Sequence, residues 1–303
     1  MKIKRNKQIV KMVNKSDITV IIPVHKWNEE IKAMYKEARK SIPEGVEVMV
    51  VTTSDSGFET DEPVKWHIGP FQGESAAIDG IGILESNDGS SFQHLVNLGV
   101  SNVQTEWFSI LEFDDEYSSI WFDNFIKYQE YNQQYNIFLP LNDLYNVEDG
   151  KDEFVGNGNE AVMAASFADE IGVIDEKALD DYFGYYVPGG IIKTELWRNA
   201  GGLKENIKLT FWYEFLLRIA HLGEKIYVVP KVGYAHVLGR KDSLMDEYRK
   251  TIDKDESEFW FREAKKQSYF KVDKNVEYDP DWKSRKEEET ESENELGITD
   301  EDL

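Results

Sequence analysis

Trp107-Phe-Ser-Ile-Leu-Glu-Phe-Asp-Asp-Glu116 is the stretch on which the reading of this chain turns. It opens as an apolar strand and ends in four acids: Glu112, Asp114, Asp115 and Glu116. Strands buried on both faces of a sheet read as continuous apolar sequence, and ligand crevices in α/β sheets open beyond the strands' carboxyl ends. Carboxylates crowded at such an edge repel one another unless a cation or a proton offsets their charge. A solvated acidic turn leading into the next helix fits the same residues, so the flanking sequence has to arbitrate.

Upstream, Ile18-Thr-Val-Ile-Ile-Pro-Val24 is another buried strand, rich in β-branched residues and stopped by Pro23. Asn28 to Ser41 carries Ile31, Met34, Tyr35 and Ala38 on one stripe, which predicts a helix. Pro43-Glu-Gly45 breaks it, and Val46 to Thr53 forms a further buried strand ending at Ser54-Asp-Ser-Gly57. That strand–helix–strand order predicts parallel pairing with a right-handed crossover. Val64–Ile68 is a weak strand, and Gly69 to Ser91 is a Gly/Ser-rich passage with no element assigned. Phe92 to Val103 predicts a helix leading into the strand Glu106–Phe113.

Downstream, Ile120–Asn132 is an amphipathic helix and Ile137–Leu141 a strand, whereas the acidic Asn142–Gly158 reads as a loop. Val187–Lys193 and Lys225–Pro230 read as strands, and Thr194–Ala200 and Phe211–Leu222 as helices. A charged helix near Ser257–Lys266 and an aromatic-rich segment, Tyr269–Trp282, follow.

With 303 residues, 41% hydrophobic, the chain can bury a sizeable core. A formal net charge of −23 argues against non-specific attraction to nucleic acid or an anionic membrane. Part of that charge is local: Glu287 to Leu303 holds nine carboxylates and no Lys or Arg. Such a segment cannot offset its ordering entropy, and it reads as a disordered, solubilising tail. Residues 1–16 form a basic arm that is either a short helix, disordered or polyanion-binding. The absence of cysteine excludes disulfides, thiolate metal sites and a Cys nucleophile, and it suits the cytoplasm. No run is long enough to span a bilayer, and the N-terminus lacks the apolar core of a signal peptide.

Four blocks in order give the chain a resemblance to the family 2-like glycosyltransferases of the GT-A fold. Thr19-Val-Ile-Ile-Pro-Val-His25 is similar to that family's opening strand. Val48-Met-Val-Val-Thr-Thr-Ser-Asp-Ser-Gly57 is similar to its strand ending in "DDGS". His94-Leu-Val-Asn-Leu-Gly-Val100 with Trp107–Asp115 resembles "ARNxGI…YILFLDADD". Gly189-Gly190, Gly201-Gly-Leu-Lys204, Trp212-Tyr-Glu-Phe-Leu-Leu-Arg218, Gly223–Pro230 and Tyr234-Ala-His236 resemble "GGFDE…EDxDLxLRLxxxGxKI" with its late His. The passage Asn159–Tyr186 also resembles glycosyltransferase-like proteins of tailed bacteriophages.

The resemblance implies an α/β fold of Rossmann-like GT-A type, a mostly parallel sheet flanked by helices, over residues 17–244. A C-terminal helical and aromatic extension (245–285) and the acidic tail (286–303) complete the domain scheme. The implied activity is transfer of a sugar from a nucleotide-sugar donor, inverting and dependent on Mn²⁺ or Mg²⁺. The implied acceptor is a glycan, a protein or a modified nucleic acid base, with homo-oligomerisation open. A hard cation held by one or two carboxylates would neutralise the leaving diphosphate. Asp115 is the first ligand implied, with Asp114 beside it for metal or ribose, and Glu112 at the motif's first acidic position.

His236 is read as a further ligand or phosphate contact, or as an ordinary core histidine. Asp55 is read as a nucleobase acceptor or as a turn-capping residue. Pro23, Val24 and His25 would line the base or ribose pocket through backbone atoms, and Asn97 matches the family's donor-site Asn. Arg240 and Lys241 would contact the diphosphate or form a solvated basic turn. Glu214 is the implied catalytic base, or else the helix partner of Arg218 at i+4. Val96 stands where the family commonly has a basic residue, and "DDGS" has lost one acid. These departures keep a rival open: a non-catalytic binding or structural module, such as a virion or assembly component. A phage-encoded enzyme would work in the host cytoplasm.

Overall fold

The computed structural model describes residues 12–68, 80–87, 91–148, 151–164, 170–240, 243 and 251–271. Its strands are β1 (Ile18–Val24), β2 (Glu47–Thr53), β3 (Val64–Ile68), β4 (Ile81–Ser86), β5 (Trp107–Ile110) and β6 (Glu116–Tyr117). They continue with β7 (Ile137–Glu148), β8 (Lys151–Gly158), β9 (Val173–Ile174), β10 (Ile191–Lys193) and β11 (Ile226–Leu238). The helices are α1 (Glu29–Lys40), α2 (Phe92–Asn102), α3 (Trp121–Tyr131), α4 (Glu176–Asp181), α5 (Thr194–Ala200), α6 (Phe211–His221) and α7 (Lys254–Gln267).

All strands join one sheet in the order β3-β4-β2-β1-β5-β10-β7-β11-β6, with β8 on β7 and β9 on β11. The first five strands of that order are mutually parallel, as the strand–helix–strand reading requires. β10 then runs antiparallel between β5 and β7, and β11 runs parallel to β7. The carboxyl ends of β1, β2, β4, β5, β7 and β11 therefore share one edge of the sheet.

β1 is buried at all seven positions because both sheet faces are covered. Ile21, with Met49, Val51, Phe108 and Ile110, packs into a core built with α2, α5 and α6. Val20, Ile22, Val48 and Val50 face the other way, against α1 and α3. Each fully buried side chain of this kind contributes about 1.5–3 kcal/mol, so the two cores fix the layering. α7 joins the first core through Trp260 and Ala264, both 0% exposed, and Thr210 donates to the Trp260 carbonyl (2.8 Å). Local signals set the helix ends: Asn28 accepts the Ile31 N–H, Ser91 the His94 N–H and Asp253 the Glu256 N–H.

Several expectations change. Read as a loop, residues 142–148 and 151–158 instead form most of an antiparallel pair, β7 with β8, and the ladder from β11 to β7 holds Asn142, Asp143 and Asn146 extended. β4 emerges from the passage left unassigned, and the rest of that passage, 69–79 and 88–90, lies outside the described residues. β5 stops at Ile110 rather than Phe113, freeing the acids for a turn. The arm to residue 11, Lys241 and the tail also lie outside the described residues. Among the described residues, no helix is long and apolar enough to cross a membrane.

Candidate functional site

β5 hands its last apolar positions to a tight turn: the Leu111 N–H still bonds the Ile21 carbonyl (3.0 Å), and the Asp115 N–H closes on the Glu112 carbonyl (3.1 Å). The chain then returns as β6, which pairs with β11 at Tyr117–Tyr234 and Glu116–Ala235. That pairing carries the next residue of β11, His236, alongside Asp115. His236 Nδ1 lies 2.7 Å from Asp115 Oδ2, and the Val237 N–H donates to Oδ1 (2.8 Å). Glu112 completes a trio with Asp115 and His236, whose ligand-capable atoms all lie within 4.8 Å of one another.

The electrostatics of this trio are those of a site short of positive charge. Burial raises the Asp115 carboxyl despite the help of His236. Burial, then the Asp115 charge, pushes Glu112 up to about 8. Burial alone would lower His236, but Asp115, Glu112 and Asp114 together hold the imidazole at about 9. Protons are thus doing what a divalent cation would do, and two carboxylates with one imidazole make a donor set suited to such an ion. The imidazole favours Mn²⁺ over Mg²⁺, which prefers oxygen ligands throughout.

Beside the trio, Arg240 Nε donates to Asp114 Oδ2 (2.7 Å), and its guanidinium lies 5.2 Å from the centre of the Phe113 ring. The His25 ring sits 6.2 Å from the same phenyl group. His25, Asp114 and Arg240 therefore gather around Phe113. Pro23 and Val24 are buried at the carboxyl end of β1, paired with Val51 and Thr52. Asp55 is exposed in the turn after β2. That turn is closed by Ser56, through its N–H to the Thr53 carbonyl (3.1 Å) and its hydroxyl to Thr52 Oγ1 (2.7 Å), so capping falls to Ser56.

Two implied residues have other occupations. Asn97 brackets the loop after α5: its Nδ2 donates to the Leu203 carbonyl (2.7 Å) and its Oδ1 accepts the Leu203 N–H (2.8 Å). A Cβ at Gly202 would meet that Oδ1 at 2.4 Å, so glycine lets the loop come this close. Glu214 is fully buried in an ion cluster. Arg218 grips it with two bonds (2.9 and 2.7 Å), and Lys204 Nζ lies 3.1 Å from Oε1. Arg218 also donates to the carbonyls of Ala200 and Gly202, and Lys204 to that of Gln267. This is the helix-pair alternative, enlarged by a second cation, and such a carboxylate presents no exposed atom to an acceptor hydroxyl. Val96 is a core residue of α2, 0% exposed, where a charged side chain would be unpaired.

The sequence reading missed two arrangements. At the end of β4, His94 links the Ser86 hydroxyl (3.1 Å) to the Glu205 carboxylate (3.1 Å). Beyond β8, Tyr186 places its ring 5.4 Å from that of His236. Residue spacing signals neither, since each joins segments far apart in the chain.

No protein-family model matches the sequence, and no curated protein matches it. Among solved structures, S. aureus TarS 1-349 in complex with UDP-GlcNAc aligns with a TM-score of 0.51 at 16% identity, over 82% of this chain and 65% of that one. TarS 1-349 in complex with UDP gives 0.49 at 15% identity, over 83% and 71% of the two chains. A further TarS 1-349 structure gives 0.47 at 14%, over 73% and 60%. This chain thus spans less than two thirds of the length of two of these three. The first likeness fixes the fold: a GT-A-like α/β sheet flanked by helices.

Proposed function

We propose that the protein transfers a sugar from a nucleotide-sugar donor, in the manner of family 2-like glycosyltransferases, with a divalent cation at Asp115. The observation that carries this reading is the Glu112–Asp115–His236 trio at the carboxyl edge of a GT-A-like sheet. The UDP-GlcNAc complex of TarS supports a UDP-sugar as the first donor to try. When bound, the cation supplies charge neutralisation at the leaving diphosphate.

Asp115 and His236 would hold that cation, with Glu112 losing its proton as the charge is offset. Asp114 would serve metal or ribose, and Arg240, released from Asp114, would reach the diphosphate. Asp55 and His25 would flank the nucleoside. An inverting route also needs a base near the anomeric carbon. Glu214 meets that need only by leaving Arg218 and Lys204. Its engagement there favours a second reading, a nucleotide-sugar-binding module without turnover.

Titration calorimetry with UDP and GDP, with and without Mn²⁺, tests the common element. Metal-dependent binding of a nucleoside diphosphate is expected, because carboxylates and substrate phosphates complete such sites together. No metal-dependent heat with either nucleotide at millimolar concentration would end both readings. Donor hydrolysis or transfer by the wild type then separates enzyme from module.

A further inference from the structure

Asn159 is the sole non-glycine residue with positive φ (65°) among the described residues, and it is 2% exposed. Left-handed backbone is rare outside glycine, although asparagine tolerates it best. Its side chain shows what the conformation achieves. Nδ2 donates to the carbonyls of Tyr186 (2.9 Å) and Pro140 (2.9 Å) and to Asn142 Oδ1 (3.2 Å). Oδ1 accepts the Tyr186 N–H (2.8 Å). Both ends of one buried amide therefore grip the backbone of one residue.

The ring of that residue is placed with equal care. A Cβ at Gly158 would fall 2.7 Å from Tyr186 Cδ2 and 3.1 Å from Cε2, so the ring rests directly on the glycine backbone of β8. Its plane meets that of His236 at 62°. The core does not account for this arrangement: the neighbouring Tyr185 is the buried one (5% exposed), whereas Tyr186 is half-buried. A half-buried aromatic ring, locked at backbone and ring, stands beside His236, the imidazole of the trio that would receive a cation. Rigid amphipathic rings of this kind bury apolar ligand surface at little entropic cost and keep a hydroxyl for hydrogen bonding. A pyranose offers the matching chemistry, an apolar C–H face rimmed by hydroxyls.

We propose that Tyr186 is the saccharide platform of the site, stacking on the C–H face of a pyranose. The inference rests on the glycosyltransferase-like reading and deepens it. The pyranose is either the sugar of the donor or a sugar of the acceptor, and the two sources separate experimentally.

The test compares wild type, Tyr186→Ala, Tyr186→Phe and Gly158→Ala, with melting temperatures confirming that each folds. UDP and UDP-hexoses are titrated with Mn²⁺ by calorimetry. A panel of methyl pyranosides is titrated by ligand-observed NMR, with and without UDP and Mn²⁺. Tyr186→Ala is expected to bind UDP as the wild type does, while weakening one sugar-bearing ligand about tenfold, equivalent to about 1.4 kcal/mol. Loss confined to the UDP-hexose assigns the donor sugar, and loss confined to the pyranosides assigns the acceptor. Tyr186→Phe should retain most of the affinity, and Gly158→Ala, which displaces the ring, should mimic Tyr186→Ala.

Unchanged sugar affinity in Tyr186→Ala overturns the platform while leaving the nucleotide site intact. A wild type that binds pyranosides but no nucleotide overturns the donor reading, and the platform is then judged on the pyranosides alone. A wild type that binds neither overturns both.

Discussion

Replacing Glu214 by Gln separates a structural carboxylate from a catalytic one. In the wild type, Glu214 stands between Arg218 and Lys204, each 1% exposed. Glutamine preserves shape but withdraws the carboxylate charge from between two buried cations. Removing one partner of a buried, hydrogen-bonded ion pair costs about 3–5 kcal/mol, because the remaining charge stays out of water uncompensated. At about 1.5–2 °C per kcal/mol for a chain of about 300 residues, the melting temperature should fall by roughly 5–10 °C. Lys204→Met leaves a balanced Glu214–Arg218 pair and should cost less. The double variant should be more stable than the sum of the single losses predicts, since the charges couple directly. Thermal and urea denaturation of the four proteins measures this cycle. If Glu214 were a free base, Glu214→Gln would cut turnover about 10²–10⁴-fold and leave the melting temperature nearly unchanged. That pair of results would refute the structural assignment.

Other consequences can be checked on the same preparations. Asn97→Ala strips both bonds from the Leu203 backbone and should destabilise by about 1–3 kcal/mol; a change in nucleotide affinity alone would restore the donor-contact role. Glu112 and His236 both hold protons in the folded state that the unfolded chain releases, so metal-free stability should fall as pH rises from about 4.5 to about 9. Mn²⁺ substitutes for those protons, so its stabilising effect should grow over the same window. Melting temperatures in chelator and in Mn²⁺ at about pH 6 and about pH 9 test this, and equal slopes would contradict it. Deleting Glu287–Leu303 should leave the melting temperature unchanged, because ordering costs on the order of 1–2 kcal/mol per residue and the segment has few apolar side chains to offset it. A large drop would mean that the tail docks.

The parallel half of the sheet was legible because β1, β2 and β5 are apolar on both faces and flanked by clear breakers. β4 was not: Ile81-Gly-Ile-Leu-Glu-Ser86 is short, contains a glycine and sits in a Gly/Ser-rich passage, so composition outweighed pattern. The hairpin β7–β8 escaped for another reason. Asn142, Asp143 and Asn146 are poor strand formers, and what holds them extended is β11, some ninety residues away. The carboxyl-edge acids could be named from their own stretch, but the approach of His236 to Asp115 crosses 121 residues and depends on the β6–β11 pairing. Likewise, Arg218 was visible as an i+4 partner of Glu214, whereas Lys204 arrives from the loop that Asn97 brackets.

Those two acidic sites show why local sequence does not reveal function by charge alone. Around Glu214, among the described residues, Arg218 and Lys204 share one carboxylate, and backbone carbonyls accept further bonds from both. The cluster ties the Gly201–Lys204 loop to α6 and α7. At the β5 edge the described residues place His236 and Arg240 against Glu112, Asp114 and Asp115, and burial, then the Asp115 charge, holds Glu112 up at about 8. A deficit of positive charge at a strand's carboxyl end is unfavourable for the empty protein, and a cation or a cationic complex relieves it. The same residue types thus make a closed structural knot in one place and an open ligand site in the other. The difference lies in the balance of acids and cations among the described residues: one carboxylate shared by two cations around Glu214, and three carboxylates facing His236 and Arg240 at the β5 edge.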